Sequence, residues 1–490
     1  MKISTGKSAA SFMTLAAALM LRAPVAVGQT VHGVTGPGAE RLAVPASAAA
    51  LDRTPTGPEA QALPAEKEQQ NGGLNLEGLE KMALKNNPTL AQSQADIRAS
   101  GGRKIQAGLY PNPLVGYEGR EISSGPIIRG GEHGIFVQQS IVTFGKLGLS
   151  RKVFAQEQAQ AESVAAAQRQ RVLNAVQLAY YQALGAQELV RIQGELVRIA
   201  RSAVQTTEQL LNVGQADRPD MLEAMVEAQH ARLGLMAARN DQQRIWEQLA
   251  ATVGEPSLPL TPLAGRLDDL QPPIDAREAL ARLLRDSPEV KLAEQGIVRA
   301  GLALKRAKIE PRPDIQVGAG LDYNRELFGE AGSRPVGWEG SVQVGIRIPI
   351  FNRNQGNVKA AAAEAAHARS ELERVRLSLR SSFAPVFRDY SDALETSRSY
   401  QKDMLPQAQE AYDLYLEKYR QMAAAYPQVL IAQRTLFQLK ENYVKSLVSL
   451  RVAATQIQGF LLVDGLAVPI APGEPATVSP GIEVQPTGMP

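Results

Sequence analysis

Apolar residues recur along this chain with two different periods, and each period predicts a different kind of element. From Ile315 to Tyr323, and again from Val342 to Ile350, every second residue is apolar and polar residues, Gly or Pro stand between. Such alternation predicts β-strands with one apolar and one polar face, which suits a lipid-facing barrel strand and a sandwich strand equally well. A weaker alternation runs from Ile135 to Ile141. The predicted strands are about 113–120, 135–144, 314–324 and 338–350, with loops at 121–134 and 325–337.

The remaining periodic segments have helical spacing and are unusually long. The longest lacks proline, and its apolar residues from Leu189 to Leu210 recur at the three- and four-residue intervals of a coiled coil. A second series repeats every seven residues from Val429 to Ile457. Pro385 and Pro406 should kink or restart the helix that contains them. The predicted long helices are 147–212, 220–253, 276–309, 356–422 and 428–461.

The pattern of elements occurs twice, so the ordered body is an internal repeat. Asn87-Pro88 matches Ser287-Pro288, and Arg218-Pro219 near one helical turn matches Tyr426-Pro427 near another. Each unit is predicted as helix, two strands, long helix, turn, helix. We therefore expect a signal peptide at 1–28, a disordered linker at 29–73, repeat 1 at 74–253, an equatorial linker at 254–275, repeat 2 at 276–462 and a disordered tail at 463–490.

Composition and charge exclude several classes of protein. The 490 residues include no cysteine, which removes disulfides and thiolate sites, and the net charge of +3 includes no basic block that would predict a nucleic-acid partner. Lys2 and Lys7 precede an apolar run and a cleavable site near Ala26, the features of a secretory signal peptide. No later run of about 20 apolar residues occurs, so a membrane-embedded part would have to be a barrel.

The sequence contains no motif for catalysis, a cofactor or a metal ion. The four histidines lack zinc-site spacing; His133 is predicted in a loop, and His230 and His367 on helix surfaces. No nucleophile motif accompanies them. We therefore expect a protein that is not an enzyme, with no cofactor and no metal site.

Several short motifs, taken in order, resemble the TolC-like outer-membrane efflux family, and most closely its CzcC-like branch, which serves heavy-metal exporters. The resemblance covers about 74–462, and the duplication makes it specific. The residues that carry it are Asn87-Pro88, Tyr110 to Pro113, Gln139 to Lys146, Val213-Gly214 through Leu222, and Leu405 to Ala408.

The resemblance implies an α+β membrane protein that works as a homotrimer. Each chain would give four strands to a 12-stranded barrel in the outer membrane, continuous with a long periplasmic α-helical barrel. The partners implied are outer-membrane lipid, a periplasmic adaptor (membrane fusion) protein and an inner-membrane RND pump. The function implied is export of heavy-metal cations from the periplasm through a tripartite system. Four strands alone cannot close a barrel, because the smallest transmembrane barrels use about eight.

The two helical turns, 213–220 and 422–428, are the expected periplasmic tip and adaptor contact, because they end the longest helices. Gly214 can take the left-handed conformation that ends a helix, and Pro219 with Asp220 can start the next one. Threefold symmetry would arrange Asp217 and Asp220 as an acidic ring, latched through Arg218; the alternative is that these residues only cap and turn. The predicted contact residues are Gly214, Asp217, Arg218, Asp220, Ala424, Tyr426 and Gln428.

Other functions stay open on the sequence alone. A duct for drug efflux or for type I protein secretion would share the fold. A periplasmic coiled-coil adaptor without a barrel is the alternative from another class, but adaptors usually have one helical hairpin, whereas this chain has two, each with a strand pair. No residue identifies the substrate.

Overall fold

The computed structural model describes residues 74–121, 131–269, 272–328, 334–421 and 423–469. The predicted signal peptide at 1–28 and linker at 29–73 lie outside these ranges. Within them the chain forms nine α-helices, a π-helical turn at Tyr400–Met404 and four strands. The helices are α1 (Leu76–Asn86), α2 (Pro88–Gln106), α3 (Lys146–Asn212), α4 (Arg218–Val253), α5 (Ala276–Asp286), α6 (Pro288–Ile309), α7 (Gln355–Ser399), α8 (Leu405–Arg420) and α9 (Tyr426–Gln458). The strands are β1 (Leu114–Arg120), β2 (Glu132–Ile141), β3 (Ile315–Phe328) and β4 (Arg334–Ile346).

Each repeat begins with two helices, not with the single helix that the pattern predicted. Asn87 ends α1, and its side-chain Oδ1 accepts a hydrogen bond from the Thr89 amide at 3.0 Å to start α2. Ser287 does the same between α5 and α6, where its Oγ accepts from the Glu289 amide at 3.2 Å. A proline follows each cap at the first helical position, where its missing N–H costs nothing. The predicted helix 276–309 is therefore divided at Ser287.

The two prolines of the second long helix behave differently. Pro385 lies inside α7, which continues past it to Ser399, so the helix does not restart there. Pro385 has no N–H to donate to the Ser381 carbonyl. Both residues are exposed, so water can donate a hydrogen bond to that carbonyl instead. Before Pro406 the helix does change: the Leu405 amide bonds to the Tyr400 carbonyl in a π-turn, and α8 begins. Here the interruption is as predicted.

The four strands form one antiparallel sheet in the order β1-β2-β3-β4, so β1 and β4 are its edges within the described residues. The sheet differs from its predicted bounds at both ends. Glu132 and His133 pair with β1 and β3, so His133 lies in a strand and not in the predicted loop. Ile348 and Ile350 continue the alternation but lie beyond the end of β4, at Ile346.

One face of the sheet is apolar and exposed, and the other is polar. On the apolar face Val115 pairs with Val137, Val317 with Val344 and Tyr323 with Trp338. Val342 on this face is 81% exposed. Asp322 and Asn324 lie on the opposite face and are buried. The sheet thus has the reverse of a soluble sheet's arrangement, in which the apolar face packs on a core.

Helix α3 is the spine of the helical part, and at 67 residues it spans on the order of 100 Å. It packs against α2, α4, α6 and α9. A core between α1, α3, α4 and α9 contains Trp246, and a second core between α5, α6, α7 and α9 contains Phe383. Within the described residues, no helix is both long enough and apolar enough to cross a membrane.

The segment 463–469 is ordered, although it belongs to the predicted disordered tail. The Gly465 carbonyl accepts hydrogen bonds from Asn87 Nδ2 at 3.5 Å, Thr89 Oγ1 at 3.3 Å and Gln168 Nε2 at 3.4 Å. These buried polar side chains require partners, and the segment supplies them. The rest of the tail, 470–490, lies outside the described residues.

Candidate functional site at the two helical tips

The first tip is a turn that ends α3 and starts α4. Gly214 has a φ of 73°, the left-handed conformation that the sequence predicts. Its amide bonds to the Leu211 carbonyl at 3.1 Å, and the Gln215 amide bonds to the Leu210 carbonyl at 2.8 Å. These two bonds form a Schellman motif, which satisfies carbonyls that the end of a helix leaves without partners.

The helix that follows each tip begins two residues earlier than the sequence predicted. Helix α4 starts at Arg218, with Asp217 as its N-cap and Pro219 as its second residue, two positions before the expected start at 220. Helix α9 starts at Tyr426, with Ala425 as its N-cap. Neither cap makes a side-chain hydrogen bond to the helix.

The predicted contact residues divide by exposure. Gly214, Asp217, Arg218 and Gln428 are exposed, and Asp220 and Ala424 are partly exposed. None of the charged residues Asp217, Arg218 and Asp220 forms an ion pair among the described residues, so no latch through Arg218 is present in the single chain. Tyr426 is only 5% exposed. Its side chain faces the interior of the helical bundle and is not available for direct contact with a partner.

Four helices meet directly behind the tips. Tyr426 and Leu430 of α9 pack with Ala224 of α4, and side chains of α3 and α8 complete the cluster. The rings of Tyr426 and Tyr419 lie 5.8 Å apart between centroids. The two tips are therefore one structural unit, and Tyr426 contributes to it by packing.

An ion pair between buried Glu227 and exposed Arg434 also joins the two tips. Glu227 of α4 is 3% exposed, and its Oε2 accepts from Arg434 Nη2 at 2.6 Å and from Arg434 Nε at 3.0 Å. This hydrogen bonding raises the pKa of Arg434. Sequence reasoning missed both residues. The signal was present in the repeat: Glu227 and Arg434 occupy neighbouring positions of the duplicated return helix, and their charges are opposite.

The environment of Tyr426 keeps its phenol neutral. Burial, and next the nearby carboxylate of Glu227, raise the pKa of Tyr426 to about 12. Burial also raises the pKa of Tyr419. Both causes penalise a phenolate, so this pair acts as an uncharged packing contact at neutral pH.

The described residues provide no cluster for metal binding. No group of three or more His, Asp or Glu side chains that could hold a metal ion occurs among them. His230 and His367 are exposed on helices, and His133 stacks on Tyr117 with 6.1 Å between ring centroids. What the tips offer is a rigid end of four helices with exposed backbone and charged side chains.

The sequence and the structure both have relatives among exporters. The chain is 26% identical to the cobalt-zinc-cadmium resistance protein CzcC of Cupriavidus metallidurans over 390 residues, which cover 80% of this chain and 90% of CzcC. It is 23% identical to the pyoverdine export outer membrane protein OpmQ of Pseudomonas putida over 416 residues, 80% of this chain and 87% of OpmQ.

Solved channel structures share the fold at lower identity. The match to CusC has a TM-score of 0.65 at 18% identity and covers 82% of this chain and 98% of CusC. The match to VceC of Vibrio cholerae has a TM-score of 0.63 at 18% identity, covering 80% and 96%. The family model for the outer membrane efflux protein matches residues 79–255 and 279–461, which correspond to the two repeats. The resemblance seen in the short motifs is thereby confirmed, and the chain belongs to the outer membrane efflux protein family.

Proposed function

We propose that this chain is the outer-membrane channel subunit of a tripartite efflux system and that it functions as a trimer. The observation that carries the proposal is the sheet, whose apolar face is exposed and whose edge strands β1 and β4 lack neighbours in the described chain. In lipid, open edges would leave backbone amides without partners at a cost of several kcal/mol each. Three copies of four strands would close a barrel and remove every edge.

The helical tips are the proposed contact for a periplasmic adaptor, itself joined to an inner-membrane RND pump. Helix α3 begins where β2 ends and runs to Gly214, so the tip lies on the order of 100 Å from the sheet. Exposed Asp217, Arg218 and Gln428 are available there for contact. In a trimer Asp217 and Asp220 would form an acidic ring that attracts cations.

A test of the tip replaces Gly214 and Asp217 separately, after confirming that each variant reaches the outer membrane as a trimer. We expect weaker efflux and weaker chemical crosslinking to the adaptor in both variants. Normal export and crosslinking in both would reject the tip as the contact. Unchanged single-channel conductance in the Asp217→Ala protein would reject the acidic ring while leaving the docking proposal in place.

We propose heavy-metal cations as the substrate, supported by the similarity to CzcC over most of both chains. Deleting the gene should lower tolerance to Zn, Co or Cd salts, and a plasmid copy should restore it. The similarity to OpmQ favours a second candidate, export of a small organic siderophore. Unchanged metal tolerance together with loss of siderophore in the medium, or with new drug sensitivity, would reassign the substrate without affecting the proposed channel.

A further inference from the structure

Positive charge is concentrated where the helices join the sheet. Strands β1 and β3 begin, and strands β2 and β4 end, at the same end of the sheet, which we call its helical end. The junction segments at this end hold twelve Lys or Arg and only two acidic residues. These segments are residues 100–113, 142–153, 304–314 and 347–360. The whole chain has a net charge of only +3, so this excess is local.

The two acids at the junctions are already neutralised by junction residues. Asp314 pairs with buried Lys146 at 2.9 Å, and Glu310 pairs with Arg306. Of the ten remaining basic residues, Arg103 pairs with Glu157, Lys104 donates a hydrogen bond to Gln158, and the other eight are exposed. We call the following eight the basic collar, since each is exposed and forms no ion pair among the described residues: Arg151, Lys152, Lys305, Lys308, Arg312, Arg347, Arg353 and Lys359.

Four collar residues lie close to the start of a long helix. Arg151 and Lys152 lie in the second turn of α3, and Arg353 and Lys359 lie on either side of the start of α7. Neither helix has an acidic residue in its first turn, so no carboxylate there offsets the charge of the collar.

The collar adjoins the apolar face of the sheet directly. Phe351, which is 89% exposed, and exposed Ile350 lie next to Arg353. The Arg312 guanidinium lies 5.1 Å from the centroid of the exposed Phe144 ring. An exposed apolar surface edged by aromatic rings and then by basic side chains matches the order of acyl chains, interface and phosphate groups in a phospholipid leaflet.

The opposite end of the sheet has acidic residues as well as basic ones, and Glu118 there pairs with Arg120 at 2.9 Å. Glu118, Asp322 and Glu339 lie in one row across the polar face there, on either side of Gly134. The excess of basic residues is therefore found at the helical end of the sheet.

We propose that the basic collar binds the anionic phosphate headgroups of phospholipids in the leaflet on the helical side, and so fixes the depth of the sheet in the membrane. This inference rests on the proposed membrane placement of the sheet. Lys305 and Lys308 are three residues apart in the last turns of α6 and so lie on one helix face, and Arg312 follows in the turn after Ile309. Each basic side chain at such a surface strengthens anionic lipid binding by about fivefold at low ionic strength.

The experiment reconstitutes the full chain in phosphatidylcholine vesicles and measures the association of spin-labelled phosphatidylglycerol and spin-labelled phosphatidylcholine with the protein by electron paramagnetic resonance. We expect phosphatidylglycerol to be preferred by about fivefold or more at low salt, and the preference to fall toward equality at about 1 M salt. The triple variant Lys305→Gln, Lys308→Gln, Arg312→Gln should lose most of the preference. A control triple, Arg232→Gln, Arg239→Gln, Lys402→Gln, changes exposed unpaired cations away from the junctions and should retain it.

The wild-type salt series keeps the test decisive if the collar variant fails to fold. Equal association of the two lipids at low salt would overturn the collar proposal and leave the channel proposal intact. Loss of the preference in inorganic phosphate, but not in sodium chloride of equal ionic strength, would indicate a discrete phosphate site and also overturn it. A wild-type chain that does not enter the vesicles would overturn both proposals.

Discussion

Gly194 within α3 and Gly214 in the turn that ends it are a matched pair of glycines with opposite backbone requirements. A Cβ added to either would meet no atom within 4 Å, but Gly214 has a φ of 73° and Gly194 is helical. Gly214→Ala should therefore destabilise the tip by about 1 kcal/mol, whereas Gly194→Ala should stabilise α3 by about as much. Hydrogen exchange of the amides around 210–221 should be faster in the first variant only. Equal exchange in both would contradict the role of Gly214 as the cap.

Tyr426 gives the tip a pH dependence whose sign follows from its pKa. The pKa is raised to about 12 in the folded chain from the ordinary value of 10. Below pH 10 the phenol is protonated whether the tip is folded or not, so its full contribution is present. Between pH 10 and pH 12 only the unfolded form loses the proton, and the folded tip loses about 3 kcal/mol of stability.

This prediction can be measured as the difference in tyrosinate absorbance near 295 nm between wild type and the Tyr426→Phe variant during an alkaline titration. The difference should show one phenol that titrates near pH 12. A difference with a midpoint near pH 10 would mean that Tyr426 is solvated and that the tips are not packed together as described.

Individual residues show where sequence reasoning reaches its limit. Gly214 was predictable because a left-handed helix end requires a glycine locally. The burial of Tyr426 was not, because it depends on contact between helices about 200 residues apart in sequence. The pairing of Glu227 with Arg434 was visible only as opposite charges at neighbouring positions of the two copies. A turn position alone does not tell whether its side chain faces a partner or a neighbouring helix.

At the scale of the element, adjacent residues of strand β4 lie on opposite faces of the sheet. Val344 is on the exposed apolar face and Gln343 is on the polar face. If the apolar face meets lipid, Val344→Arg should cost about 2–4 kcal/mol near the middle of the bilayer, while Gln343→Arg should cost little. The measurement is the amount of heat-modifiable protein in the outer-membrane fraction. Equal loss or equal tolerance for the two variants would contradict the assignment of faces.

The elements also show which sequence signals are reliable. Strict alternation located β3 and β4 but overran the end of β4 by several residues, because Ile348 and Ile350 keep the period after the ladder has stopped. Proline predicted the change of helix before Pro406 but not the continuity through Pro385. Pro385 and Pro406 are both exposed, as are the residues four positions before each of them, so exposure to water does not separate the proline that changes the helix from the one that does not.

At the scale of the whole molecule, duplication made the fold predictable. The two copies of one unit predicted both helical tips and both strand pairs, and the family model matches the same two units. The number of chains in the assembly depends on how β1 and β4 meet in space, which no local pattern encodes. The proposed trimer can therefore be tested most directly at the open edges of the sheet.

The absence of cysteine makes that test direct. Val115 lies on edge strand β1, and Val342, Val344 and Ile346 lie on edge strand β4. Two intervening strands separate these edges by about 14 Å, too far for a disulfide within one chain. Val115→Cys combined in turn with a cysteine at each β4 position should therefore crosslink only between chains.

The decisive measurement is non-reducing electrophoresis of these double-cysteine proteins, oxidised in the outer membrane. We expect at least one pairing to give covalent dimers and trimers, with no larger species, because three chains would close the proposed barrel. Monomers in every pairing, or a ladder that continues beyond three chains, would contradict it.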